Sequence, residues 1–279
     1  MDSMLRLWAE AVGVAILGGA GFLLGRWFSR RRAPWWTLGY FLPLALVIAV
    51  GLARHFPVLE FVRPFSWLLA GRWEFAWGGL VGTMVLTTPL SRLPLRRDRI
   101  VVAVLMVVLV GGTSVWPLLA PAFNHRELAA LRTRVDADGV CLQGTGYTCG
   151  PAAAVTALRR LGLPAEEGEL ALLAHTSAAS GTQPDVFADI LRQRYAAQGL
   201  SVEYRPFRDL EELRQAGLTL AVVKFALFID HYVTVLEVTA DSVVIGDPLS
   251  GRERLSREEF VRRWRFNGVV LRCGPDSTH

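Results

Sequence analysis

The residues best placed to do chemistry lie in the stretch Gln143-Gly-Thr-Gly-Tyr-Thr-Cys149-Gly-Pro-Ala-Ala-Ala, where a Gly/Thr-rich loop runs into a cysteine and an amphipathic helical pattern starts at once. Pro151 suits a first helical turn, where its missing N–H costs nothing, and Gly162 suits the stop. Cys149 is therefore expected at a helix N-terminus, whose unpaired N–H groups and macrodipole favour negative charge. Sulfur attacks a carbonyl in its anionic form. Gln143 lies six residues upstream, and its side-chain amide can donate to an oxygen beside the sulfur, as an oxyanion hole requires. The base is expected at His231, which opens the β-branched run His-Tyr-Val-Thr-Val. Of five histidines, His55 and His125 lie beside apolar runs and His279 is the last residue. His175, after a helical segment, is the competitor. Asp247 ends the next strand run in Gly-Asp-Pro. Such a residue opens turns, but in a hairpin with the His231 strand its carboxylate would lie near the imidazole and accept from Nδ1–H. Asp230 is the alternative orienter, weakened because adjacent strand residues point to opposite faces.

These pieces have company in order along the chain: Cys149-Gly-Pro-Ala-Ala at a helix start, Asp230-His231-Tyr-Val-Thr-Val, and Gly246-Asp247-Pro248-Leu-Ser-Gly251. Together with Gln143 they resemble the papain-like cysteine peptidases, most closely the bacteriocin-processing family that removes double-glycine leaders. The resemblance covers about residues 136 to 272. It implies a Cys149–His231–Asp247 triad with Gln143 at the oxyanion, an α+β papain-like domain, and a peptide or protein substrate with small residues such as Gly-Gly before the cut. Two departures stand out: Thr148 precedes the cysteine where the family often has an acidic residue, and no Gly-x-x-x-x-Gly-Lys-Ser/Thr loop occurs, so no nucleotide is implied.

The element pattern fits that domain. Helical patterns cover 150–161, 165–174, 184–198, 209–216 and 256–264, the last opened by Ser256 and Glu259 at capping-box spacing. Strand-like runs cover 201–207, 219–228, 231–238, 242–247 and 268–273, with a short polar link suggesting a hairpin between the third and fourth. Helices followed by a largely antiparallel sheet make an α+β arrangement.

The N-terminal half is of another kind. Hydrophobic residues are 52% of the 279-residue chain, and its mean hydropathy is positive. Four apolar runs, about 5–28, 35–53, 73–90 and 99–120, are each expected to span a bilayer, giving an all-α four-helix transmembrane region over 1–120. A connector over 121–135, the peptidase domain over 136–273 and a tail over 274–279 follow. Positive charges after the first run, at Arg30, Arg31 and Arg32, mark it as a retained helix rather than a secretory signal. Eight of the nine tryptophans occur by position 116, as in an interfacial belt. Gly21 and Gly25 form a small-xxx-small pair suited to a close helix neighbour, whether a membrane partner or a second copy of the chain. Arg72 and Glu74, at the start of the third run, read as snorkelling interfacial residues, and Lys224, the sole lysine, as an edge or snorkelling residue.

Charge divides with the halves: residues 1–135 hold 15 basic and 6 acidic side chains, residues 136–279 hold 15 and 19, for nets of +9 and −4. The basic character belongs to the apolar half, so no nucleic-acid partner is expected. Arginines concentrate in the two short loops, around 26–32 and 92–99, which the positive-inside rule places in the cytoplasm. That puts the chain in a bacterial inner or plasma membrane, with the peptidase domain on the extracytoplasmic side. Three cysteines exclude a disulfide scaffold, and no Cys-x-x-Cys or Cys/His pair suits a metal, so no cofactor or metal is expected. Cys141 and Cys273 either pair or are unrelated thiols. A catalytically idle domain that binds peptides or a membrane partner is the rival reading. Acyl transfer to an amine by the same thiolate is a third.

Overall fold

The structure, a computed structural model, describes residues 3–69, 73–226 and 229–273. The expected tail over 274–279, Arg72 and the end of the 219–228 strand run lie outside the described residues. Two compact units meet at position 120: Met1–Ala120 and Pro121–His279.

The first unit is helical. It holds α1 (Ser3–Ser29), α2 (Leu38–His55), the single turn α3 (Phe65–Leu68), α4 (Trp73–Thr87) and α5 (Arg96–Val110). A π-helical turn at Gly111–Val115 joins α5 to α6 (Trp116–Ala129). Among the described residues three stretches are long and apolar enough to cross a membrane: Glu10–Ser29, Trp35–Ala53 and Arg96–Ala129. The third run of the sequence is the fifteen-residue α4, which at 1.5 Å per residue is about 22 Å long, short of the roughly 30 Å hydrocarbon layer. Gly21 and Gly25 face α4 of the same chain. A Cβ on Gly25 would meet Met84 O at 2.7 Å, and one on Gly21 would strike Leu80 O and Thr83. The hydroxyls of Thr83 and Thr87 donate back to Gly79 O at 2.7 Å and Thr83 O at 2.6 Å, so neither is left unpaired beside an apolar seam. Most of the expected connector is helix, since α6 continues to Ala129. Its end is built from helix formers, and Leu128 there is buried.

The second unit is built on a sheet. Two short strands, β1 (Arg134–Val135) and β2 (Cys141–Leu142), pair antiparallel. Then follow α7 (Cys149–Arg160), α8 (Glu167–Leu173), α9 (Pro184–Arg194), β3 (Leu200–Pro206), α10 (Leu210–Ala216), β4 (Leu218–Ala226), β5 (Ile229–Val238), β6 (Ser242–Asp247), β7 (Gly251–Ser256), α11 (Arg257–Arg263) and β8 (Trp264–Cys273). The six longer strands form one sheet in the order β3-β8-β4-β5-β6-β7, antiparallel at every pairing. The period of two along each strand divides the interior. Leu220, Val222, Tyr232, Val269 and Leu271 join α7 and α9 in one core, while Ala221, Val223, Val233, Val235 and Val270 join α10 and α11 in the other.

α7 is the central helix, buried without a break from Gly150 to Leu158. Its alanines let it lie close to the sheet, and Thr234 Oγ1 donates to Ala153 O at 2.8 Å across that contact. It stops as the sequence leads one to expect. Gly162 takes φ +76, and Leu163 N–H turns back to Leu158 O at 2.9 Å. Edge strand β7 escapes sequence reading because Arg252, Glu253 and Arg254 look like a loop; charges on an edge strand cost nothing in water. β8 starts at Trp264, four residues earlier than the pattern suggests, because its indole Nε1–H is satisfied by Asn267 O at 3.0 Å inside the core.

The pairing considered for Cys141 and Cys273 is absent: all three cysteines are free. Cys141 follows Val140, which packs over Gly246 on β6, whereas Cys273 ends β8 opposite Leu200. Strands β4 and β5 lie between β8 and β6.

Candidate active site

Cys149 is the first residue of α7, half-buried, with Thr148 as the N-cap residue. Thr148 makes no capping bond with its side chain. It is fully buried and its hydroxyl is spent on the preceding loop, accepting from Thr145 N–H at 3.2 Å and donating to Thr145 O at 3.3 Å. The residue that departs from the family pattern thus zips up the turn leading into the cysteine.

His231 lies on β5 and is buried. The register Thr234↔Gly246 and Val235↔Ile245, continued one step past the last pair, sets Asp247 beside Val233, with His231 diagonal to it on the same face. Here the ring meets the carboxylate: His231 Nε2 lies 2.8 Å from Asp247 Oδ1. The sequence reading had this bond at Nδ1. The structure places it at Nε2. A carboxylate only accepts, so Nε2 carries hydrogen and the other side of the ring is left for sulfur. Cys149 lies close enough to His231 for its sulfur to favour the charged imidazole. Asp247 Oδ1 also accepts from Leu249 N–H at 2.8 Å, the turn bond that Asp-Pro suggests, so one oxygen serves both the turn and the imidazole contact.

The charges follow from these contacts. Burial pulls the His231 imidazolium down, but the bond to Asp247 and the neighbouring Cys149 and Asp247 charges outweigh it, and its pKa is pushed up from 6.5 to about 9. Burial raises the Asp247 carboxyl, yet its bonds from His231 and Leu249 N–H hold it below the usual carboxylate range. Burial, and next the neighbouring Glu167, push the Cys141 thiol up to about 12, which makes it an inert core residue.

Gln143 follows β2. Its N–H donates to Pro248 O at 2.9 Å, which ties its loop to the turn after Asp247. Its side-chain Nε2 donates to Thr145 O at 2.7 Å, while Oε1 is buried without a partner. Asp230, the other orienter considered, is engaged elsewhere, accepting from Arg265 Nε at 2.8 Å. His175 follows α8 in the left-handed region at φ 51. Lys224 is exposed near the end of β4 and pairs with Asp230 on β5; β4 lies between β8 and β5, so it is not on an edge strand.

Two neighbours of the site escape sequence reading. Phe225 is 62% exposed, and its ring centroid lies 5.6 Å from that of His231. Glu167 is fully buried, and its Oε1 accepts from Gly144 N–H at 2.7 Å. An aromatic next to a lysine in a strand run carries no site signal, and Glu167 reads as one more first-turn acidic residue. Among the described residues no group of His, Cys, Asp and Glu is arranged to hold a metal.

A helix presenting a cysteine at its start to a histidine on an antiparallel sheet is the arrangement of a papain-like peptidase. The peptidase C39 family model matches residues 138–278, and the chain belongs to that family. An uncharacterised protein of Methanothermobacter marburgensis is 30% identical over 150 residues, which make up 54% of this chain and 99% of that one. The probable functional amyloid protease FapD of Pseudomonas aeruginosa is 27% identical over 156 residues, 53% of this chain and 65% of the relative. Among solved structures, a double glycine motif protease from an AMS/PCAT transporter, in complex with the leader peptide, matches with 18% identity and a TM-score of 0.42. That match covers 52% of this chain and 96% of the other.

Proposed function

We propose that the protein is a membrane-anchored cysteine endopeptidase that cuts peptide or protein segments after small residues such as Gly-Gly. The observation that carries this reading is the 2.8 Å contact of His231 with Asp247, with the Cys149 sulfur near enough to favour the charged imidazole, in a chain of the C39 family. His231 takes the thiol proton, and the Cys149 sulfur bonds to the scissile carbonyl carbon. The C–N bond then breaks and His231 returns the proton to the departing amine. Water, deprotonated by His231, releases the acyl group from sulfur and regenerates the thiol. Asp247 keeps the imidazole oriented and favours its charged form. The free hydrogen of the Gln143 amide meets the oxyanion. No step calls for a metal or nucleotide.

The substrate preference rests on the double-glycine resemblance. The anchoring rests on the apolar helices. Four crossings, with the short α4 set among its neighbours where the bilayer thins, and the arginine loops inside would put the peptidase domain on the extracytoplasmic side.

The test uses the full chain in detergent micelles with a fluorogenic peptide carrying Gly-Gly before the reporter. Wild type is expected to release the reporter after the second glycine, and Cys149→Ala to release none. Iodoacetamide should also alkylate Cys149 much faster in wild type than in His231→Ala. Equal alkylation in the two, with no cleavage, would leave the idle peptide-binding domain as the better account.

A further inference from the structure

The family match begins at residue 138, yet the segment just before it is built into the site. Glu127, near the end of α6, accepts from Tyr147 Oη at 2.6 Å, two residues before Cys149. Leu131 lies against Gly144, where a Cβ would come within 2.7 Å of Leu131 Cδ2. Thr133 Oγ1 accepts from Glu167 N–H at 2.8 Å, and a Cβ on Gly168 would meet Leu128 O at 2.6 Å, so α8 is seated on this segment. Arg134 donates to Gln143 O at 3.3 Å.

At the centre is Glu167, fully buried, with Oε1 on Gly144 N–H at 2.7 Å and Oε2 without a partner. Burying a carboxyl with one oxygen unsatisfied costs free energy, and nothing in the core requires it. What it does is hold the peptide next to Gln143. Gly144 has no side chain because Leu131 and the Glu167 carboxyl occupy that space. An oxyanion donor is effective only when held within a few tenths of an ångström of the developing charge.

We propose that the segment Glu127–Thr133 and Glu167 form a brace that positions the Gln143–Thr148 loop, with Glu167 as the main positioning residue and the Glu127–Tyr147 bond as the outer tie. The end of the last long apolar helix is then part of the peptidase's working structure. The proposal rests on the oxyanion role given to Gln143.

The test uses the full chain in micelles, the Gly-Gly peptide as probe, and hydrogen–deuterium exchange over residues 142–149. Glu167→Ala is expected to raise exchange at Gly144 at least tenfold while the β4–β5 ladder stays protected. It should lower kcat by about 10- to 100-fold with KM within about twofold, less than the loss of a whole oxyanion donor. Iodoacetamide labelling of Cys149, which needs no oxyanion hole, should be unchanged. Glu167→Gln keeps an oxygen for Gly144 N–H and should stay within about threefold of wild-type kcat. Unchanged exchange at Gly144 in Glu167→Ala overturns the brace whatever the turnover does. If Glu167→Ala fails to fold, Tyr147→Phe decides, because loss of the outer tie should still raise exchange at 144–147 and lower kcat severalfold, and unchanged values overturn the brace. Increased exchange in Glu167→Ala together with full activity in Gln143→Ala would sink the oxyanion role instead and leave the brace as a loop support only.

Discussion

The Asp247→Asn substitution probes the site most directly. The asparagine oxygen can still accept from Leu249 N–H and from His231 Nε2, so the bonds of 2.8 Å on each side keep their geometry while the charge is removed. In the wild type, burial works against the imidazolium, and Asp247 and Cys149 together carry its pKa to about 9. An opposite charge at contact distance is worth about 1–3 pKa units, so losing one of two such partners should bring His231 down by about 1–2 units. At 1.36 kcal/mol per unit that is about 1.4–2.7 kcal/mol. The sign for stability follows. A folded-state pKa raised above the unfolded 6.5 stabilises fully below 6.5, and this contribution is lost as pH climbs through about 9. Wild type should therefore lose stability between pH 6.5 and 9, and Asp247→Asn should lose less over that window. The assay is titration of the histidine ring signals in isotope-labelled full chain, assigned by comparison with His231→Ala and repeated in Cys149→Ala. The alkaline limb of kcat/KM for the Gly-Gly peptide should move down in parallel. A wild-type ring titrating near 6.5, or an Asp247→Asn ring still titrating near 9, would refute the electrostatic account.

Thr234→Val removes the hydroxyl that donates to Ala153 O at 2.8 Å between β5 and α7, at a position with no exposure. It should cost about 1–3 kcal/mol in denaturant unfolding of the sheet-based unit, since the buried carbonyl loses a partner; no measurable loss would show that α7 is held without that bond. For the side of the membrane, Ser277→Cys in a Cys149→Ala background should be labelled by a membrane-impermeant thiol reagent in intact cells, and labelling only after lysis would place the domain in the cytoplasm.

The chemistry was legible in one dimension because its parts are local. A cysteine at a helix start needs only the Thr148-Cys149-Gly-Pro151 sequence around it, and the His231 strand and the Asp247 strand form a hairpin over a short link, although a bulge between Val235 and Glu237 shifts the register that reaches the site. Helix stops such as Gly162 and caps such as Ser256, which accepts from Glu259 N–H at 3.1 Å, are equally local. What the tertiary structure decided has partners far apart in the chain. Charged β7 is a strand only because β6 offers it an edge, and Gly21 and Gly25 have a use only because α4, 60 residues on, fills the space they leave. Cys141 on β2 and Cys273 at the end of β8 are free thiols, which no count of cysteines reveals. The contact of Nε2 rather than Nδ1 with Asp247 depends on how the packed ring is turned, and the burial of Glu167 beneath Gly144 depends on where α6 ends. Periodicity and turn chemistry act over a few residues. The shape of the surroundings, which sets burial and therefore charge, is a property of the packed whole.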